Sequence, residues 1–363
     1  TCALPIWRNT APYLIASYYD SSLVDGMAGS VNTPPNKDIR WEKTTTVNVG
    51  VDFALFRHRL SGTIEYYNKY SVDLLAAING SPTQGFGYTT LMTNNGKMVN
   101  RGVEITLSGE IIRQKDFSWN ASLLYAFNRN KVKHISVQPS LWDSRISMPT
   151  SYPMVGKPLY GIYAYKWAGL NENGDPQVYD AENNVTSGPA RDYHALVYCG
   201  TTVPIHNASL TNVLRYKGFE FSAMLILDAG HKLRSSNIPS INMSNGRITS
   251  TAKGIVDRWT QPGDVTDVPR LLFSNDTENF NTHRTELYRY SDLFVYDASN
   301  IRLSNISLAY RVPAHWCKKI SLSGARLQFN VENVATFAFD SKANYDLGGK
   351  VKPNYVWGLY LNF

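Results

Sequence analysis

No run of about eighteen apolar residues occurs in the 363-residue sequence, so no helix of it is built to cross a bilayer. Charged residues are also scarce, at 18%, against roughly 25% in an average soluble domain. Cysteine is nearly missing. Cys2, Cys199 and Cys317 are odd in number and far apart, which argues against a disulfide framework or a C-x-x-C metal site. Seven histidines are present, but none lies in an H-E-x-x-H spacing, and neither a Gly-x-Ser-x-Gly nor a P-loop occurs. His315-Trp-Cys317 reads as a turn in preference to a ligand pair. The sequence therefore points away from an enzyme and implies no cofactor. A net charge of +7 raises the question of nucleic acid. Lys and Arg are scattered among carboxylates, however, without a recognisable binding module, so no nucleic-acid partner is expected. No signal peptide opens the chain. Its start, Thr-Cys-Ala-Leu-Pro-Ile, looks unlike the rest of the chain, and residue 1 is read as a break and not a biological terminus.

Aromatics are abundant, with 23 Tyr, 14 Phe and 8 Trp, although mean hydropathy is only −0.29. Alternation reconciles the two, because in a strand successive side chains point to opposite faces. Val47, Val49, Val51, Phe53 and Leu55 alternate with Asn48, Gly50, Asp52 and Ala54. Phe117, Trp119, Ala121, Leu123, Tyr125 and Phe127 form another apolar row, opposed by Ser118, Asn120 and Ser122. The same two-residue period recurs near 60–67, 103–110, 207–216, 219–228, 301–310 and 325–332. One segment changes phase between Leu303 and Ile306, which predicts a β-bulge near Ser304 and Asn305. Aromatics near the ends of the apolar rows suit the interfacial girdles of a membrane barrel.

Alternation alone would also fit a soluble sandwich. Connection lengths decide between them. Short links at Phe56-Arg57-His58, Arg113-Gln114-Lys115 and Lys217-Gly218, and a slightly longer one from Pro313 to Leu322, alternate with long polar stretches near 71–97, 130–205, 230–298 and 334–353. Outer-membrane barrels keep that order, with short periplasmic turns and long extracellular loops. The expected fold is all-β, an antiparallel transmembrane β-barrel contributing nine strands here. A lipid-facing sheet must pair its edges, so the nine belong to a larger object.

Several segments then carry a family resemblance. Asp38-Ile-Arg-Trp-Glu-Lys-Thr-Thr-Thr-Val-Asn-Val-Gly-Val-Asp-Phe53 and Asn95-Gly-Lys-Met-Val-Asn-Arg-Gly-Val-Glu-Ile-Thr-Leu-Ser-Gly109 are two of them. Tyr163-Ala-Tyr-Lys-Trp-Ala-Gly-Leu170, Asp257-Arg-Trp-Thr-Gln-Pro-Gly-Asp264 and the stretch from Ser291 to Leu308 come after them in order. Together they resemble the C-terminal barrel of SusC/RagA-type TonB-dependent outer-membrane receptors of Bacteroidota. The resemblance divides the chain into residues 1–37, a fragment start and extracellular loop, and 38–363, the C-terminal part of the barrel without its plug domain. It implies a barrel of about twenty-two strands around an N-terminal plug. It also implies TonB as the energy-coupling partner, acting through an N-terminal part not in this sequence, a SusD-like lipoprotein lid, and outer-membrane lipid around the wall.

The expected function is TonB-dependent import of nutrients too large for porins, with oligosaccharides favoured over peptides. A barrel-anchored adhesin or enzyme and a soluble β-rich carbohydrate-binding module are the alternatives. Trp142, Tyr152, Tyr160 and Tyr163 are the candidate ligand contacts, since rings on loops stack on sugars and peptides. Asn171, Asn173 and Asp175 resemble part of a calcium loop, without the final bidentate Glu. Tyr355, Trp357, Leu361 and Phe363 share one face of the last strand and resemble the signal read by the outer-membrane assembly machinery.

Overall fold

The structure is a computed structural model. It describes residues 15–20, 26–33, 36, 38–79, 90–137, 144–188, 192–243, 252–273, 282–319, 321–348 and 352–363. Its frame is one nine-stranded antiparallel sheet whose strands pair in chain order. We number them β1 (Lys43–Leu55), β2 (Leu60–Asn79), β3 (Thr90–Arg113), β4 (Phe117–His134), β5 (His206–Tyr216), β6 (Phe219–Ala229), β7 (Asn300–Arg311), β8 (Gly324–Ala338) and β9 (Asn354–Asn362).

Register holds the alternation together. Val51 lies opposite Ile64, Ile64 opposite Ile105, and Ile105 opposite Tyr125. At the short-turn end Phe117, Tyr216, Phe219 and Tyr310 stand side by side across four strands. Trp119, Leu214, Phe221, Leu308, Phe329 and Trp357 form the next row. These side chains are not buried against protein: Val51 is 63% and Trp357 79% exposed. From Phe117 to Phe127 the row spans about 33 Å along the strand, or about 25 Å across a membrane once tilted by about 40°. That is the height of a barrel's apolar band. A polar residue on this face, Asn212, accepts a 3.1 Å hydrogen bond from the Trp119 indole, so its oxygen does not meet hydrocarbon unpaired.

The bulge lies where the phase change predicts it. Met224 faces Asn305 and Leu225 faces Leu303, leaving Ser304 as the extra residue, and the strand on the other side shifts register at the same place. Strand lengths differ from expectation. The stretch 71–97 is mostly strand, because β2 runs to Asn79 and β3 starts at Thr90. Beyond the membrane both faces meet water, so the apolar alternation that marks a strand disappears while pairing continues. Within 1–37, the segments Ile15–Asp20 and Met27–Thr33 pair as an antiparallel hairpin.

The other long stretches fold into a body at the long-loop end. Gly161–Tyr165 pairs with Leu196–Thr201, Trp167–Leu170 with Pro176–Tyr179, and Lys232–Arg234 with Val295–Asp297. Tyr163, Tyr165, Val178, Leu196 and Leu287 form one buried cluster. Ile241, Tyr288 and Phe294 form a second. Leu287 and Tyr288 reach both clusters from one helix, Thr282–Arg289.

Candidate functional site

Two surfaces can meet a solute: the inward rows of the wall and the loop body above them. The inward rows are polar. Glu220 on β6 accepts Arg215 at 2.7 Å and Arg326 at 3.3 Å, which ties β5, β6 and β8 together. Asp228 accepts Asn207 at 2.6 Å and lies 3.8 Å from Arg302. On β3, Gly102 faces Tyr67, and a Cβ at that position would collide with the phenol ring. The Arg-Gly-Val-Glu sequence thus leaves room for Tyr67 to lie against the wall. Groups of this kind keep a lumen hydrated and offer hydrogen bonds to a polar solute.

The loop body is held by arginines. Asp175 accepts two bonds from Arg270, at 3.1 and 2.8 Å, and one from Arg284 at 3.1 Å. The Arg284 side chain is only 3% exposed. Its remaining donors reach the Ile241 carbonyl at 3.1 Å, Asn242 Oδ1 at 2.8 Å and the Arg270 carbonyl at 2.7 Å. Burial pulls the Arg284 pKa down, and the Asp175 carboxylate opposes that shift. Arg234 pins a second junction by donating to the carbonyls of Tyr163, Arg289 and Ser291. The family-like segments meet here. Trp167 donates its backbone N–H to Asp292 and its indole N–H to Asp267, both at 2.9 Å. Gly174, at φ 73°, sits beneath the Trp259 indole, where a Cβ would collide with the ring. Asp264 closes the Thr260–Asp264 turn by accepting from Thr260 N and Oγ1, both at 2.8 Å, and Gln261 N at 3.0 Å. Those donors hold its pKa below the ordinary carboxylate value.

The sequence-predicted residues separate accordingly. Trp142 lies outside the described residues. Tyr160 is half exposed and Tyr152 partly buried, so both remain available as contacts. Tyr163 is corrected: it is 1% exposed, and its hydroxyl accepts from Met154 N at 3.3 Å, which makes it a core residue. Burial accordingly raises its pKa. The calcium reading of Asn171, Asn173 and Asp175 is corrected as well. Asn171 Oδ1 accepts the N–H groups of Asn173 and Asp175, closing an Asx-type turn, and the Asp175 carboxylate is taken by two guanidinium groups. His315 and Cys317 lie on the short helix Ala314–Lys318, with the Cys317 thiol donating to the Val312 carbonyl at 3.8 Å. Tyr355, Trp357, Leu361 and Phe363 stay together on the exposed outward side at the last strand. Sequence reasoning missed Arg234, Arg270 and Arg284. Lone arginines in long loops carry no pattern, whereas Trp167, Trp259, Asp264 and Asp292 lay in segments already singled out.

Comparison with known proteins places this geometry in a family. The chain belongs to the TonB-dependent receptor β-barrel family: the model described as "TonB dependent receptor-like, beta-barrel" matches residues 7–334. It is 25% identical over 346 residues to TonB-dependent receptor P3 of Formosa agariphila, covering 89% of this chain and 33% of that relative. It is also 25% identical over 312 residues to TonB-dependent receptor SusC of Bacteroides thetaiotaomicron, covering 82% and 29% respectively. The chain thus spans about a third of the length of the curated relatives it matches. Among solved structures, the RagAB peptide transporter matches with a TM-score of 0.72 at 23% identity, covering 98% of this chain and 39% of the other. The fold is therefore that of an outer-membrane receptor barrel. The family is one of receptors and transporters, not of enzymes.

Proposed function

We propose, with that membership as premise, that the protein carrying this chain imports nutrients too large for porins across the outer membrane, drawing energy through TonB. Oligosaccharides are the favoured substrate class and peptides the second. A lipoprotein lid of the SusD type would close the extracellular end. The observation that carries the reading is the two-faced wall, lipid-facing on one side and hydrogen-bonding on the other, beneath a packed loop body. A porin needs no such body above its lumen, whereas a gated importer needs a firm surface for a ligand and a lid. Tyr160 and Tyr152 offer the accessible rings a sugar face or peptide would meet. The RagAB neighbour, described as a peptide transporter, keeps the second substrate class in view.

The test is uptake of labelled oligosaccharides and peptides by cells with and without the gene. Uptake of one class should disappear on deletion and on dissipating the inner-membrane proton gradient. Uptake that survives either treatment would count against energised import. Loss of peptide uptake alone would overturn the preference for glycans.

A further inference from the structure

We propose that the outward face of β3 and β4 carries a built site for the headgroup of a phosphorylated glycolipid of the outer leaflet, seated where the apolar band ends. A groove of about 660 Å³ opens there, lined by five cations: Arg101, Arg129, Lys131, Lys133 and Lys157. Among the described residues no carboxylate lines it. Its apolar lining includes Tyr66, Val99, Phe127, Val203 and Ile205.

Register fixes which side of the wall this is. Tyr66, Val103 and Phe127 form the last apolar row before the extracellular side, and Asn68, Arg101 and Arg129 form the next. Those two rows are about 7 Å apart along the strands. The cations therefore stand at headgroup height, above hydrocarbon, on the lipid side. Outward rows through 43–55, 60–72, 99–109 and 117–131 contain no Asp or Glu, while the inward rows hold Asp52, Glu65, Glu104 and Glu110. Carboxylates on these strands are thus confined to the inward face, where Lys69 also stands, while every charged residue on the outward face is a cation.

Local pairing favours a bound anion. Arg101 lies directly opposite Arg129, and Val99 directly opposite Lys131, which stacks three cations on two adjoining strands. Like charges opposite one another destabilise a sheet unless something neutralises them. Among the described residues none of the five forms an ion pair. Arg101 is oriented by donating its Nε–H to Asn68 at 3.0 Å. Lys157 is brought in by a segment that runs beside β4, where Val132 N donates to the Lys157 carbonyl at 2.9 Å and Gly156 N to the Val132 carbonyl at 2.8 Å. Its ammonium lies 4.8 Å from the centre of the Tyr198 ring. Cations above a strip of apolar wall match a lipid with phosphate on its head and acyl chains below. A soluble anion would have no use for the apolar strip, and a substrate in the lumen would never reach this face.

The experiment uses the complete receptor, purified from outer membranes in mild detergent, with bound lipid counted by native mass spectrometry. Parent receptor is compared with Arg101→Gln/Arg129→Gln and with Lys131→Gln/Lys157→Gln. Arg57→Gln/Lys115→Gln, at the periplasmic turns, is the charge-matched control, and heat-modifiable migration verifies that each variant folds. Phosphorylated glycolipid should be retained by the parent and the control and fall about tenfold or more in each groove variant. Dephosphorylated glycolipid should not be retained, and an inorganic phosphate wash should not displace the bound lipid. Absence of lipid from the parent, or equal retention in the groove variants, would overturn the proposal. Displacement by inorganic phosphate would reassign the groove to a free anion, and loss of the lid lipoprotein with lipid intact would reassign it to a protein contact.

Discussion

The wall and the loop body come from one chain yet bury opposite things. In the wall, Val51, Phe221 and Trp357 stand exposed on one side while Glu220 and Asp228 bond on the other. In the loop body Tyr163, Tyr165 and Leu287 are buried, and the buried Arg284 guanidinium is met by the Asp175 carboxylate and the Ile241 and Arg270 carbonyls. The contrast teaches that neither region is unusual once its solvent is named. Hydrocarbon covers the apolar face of the wall, so the sheet needs no second layer. Water surrounds the loops, so they must build a core of their own.

The largest expected effect probes the loop body's buried charges. Asp175→Leu leaves the Arg284 guanidinium without its carboxylate and should destabilise the body by about 3–5 kcal/mol. Limited proteolysis should then cut the extracellular loops readily while the wall stays folded. Unchanged resistance would mean that the ion pair does not hold the body. The wall gives the next effect. Leu123→Arg should weaken assembly by about 2–4 kcal/mol, whereas Ser122→Arg, one residue away and facing the lumen, should be tolerated. Equal loss of heat-modifiable migration in both variants would erase the distinction between faces. The smallest effect is chemical. Burial, with the nearby Asp292 carboxylate adding to it, raises the Cys199 thiol to about 11, so the unreactive neutral form persists well above neutral pH. Alkylation at pH 8 should be slow and should speed up about tenfold per pH unit below that value. Modification at pH 8 as fast as a free thiol would show that this part of the body is looser than its packing implies.

Legibility in the sequence followed the same divide. The nine strands and the bulge near Ser304 were readable because the membrane imposes a strict period of two on each crossing. The extensions of β2 and β3 were not, since water on both sides removes that constraint. Tyr163 shows why the loop site was harder. An aromatic beside a long loop reads equally as a ligand platform or as core, and only the contacts from Leu196, Leu287 and Met154 decide. Asp175 shows the same limit, because its partners Arg270 and Arg284 lie 95 and 109 residues away in sequence. Motifs such as Asp257–Asp264 identified the family, yet Trp259 covering Gly174 could not be anticipated from either segment alone.

The claim on which the rest depends is that one face of the wall contacts lipid and the other contacts water. Single cysteines at positions 122, 123, 221 and 222, in the complete receptor with its native cysteines replaced by serine, can be placed in liposomes and offered a membrane-impermeant maleimide. Positions 122 and 222 should label from the lumen, while 123 and 221 should stay dark until the protein is unfolded. Ready labelling of 123 and 221 in folded receptor would contradict the account.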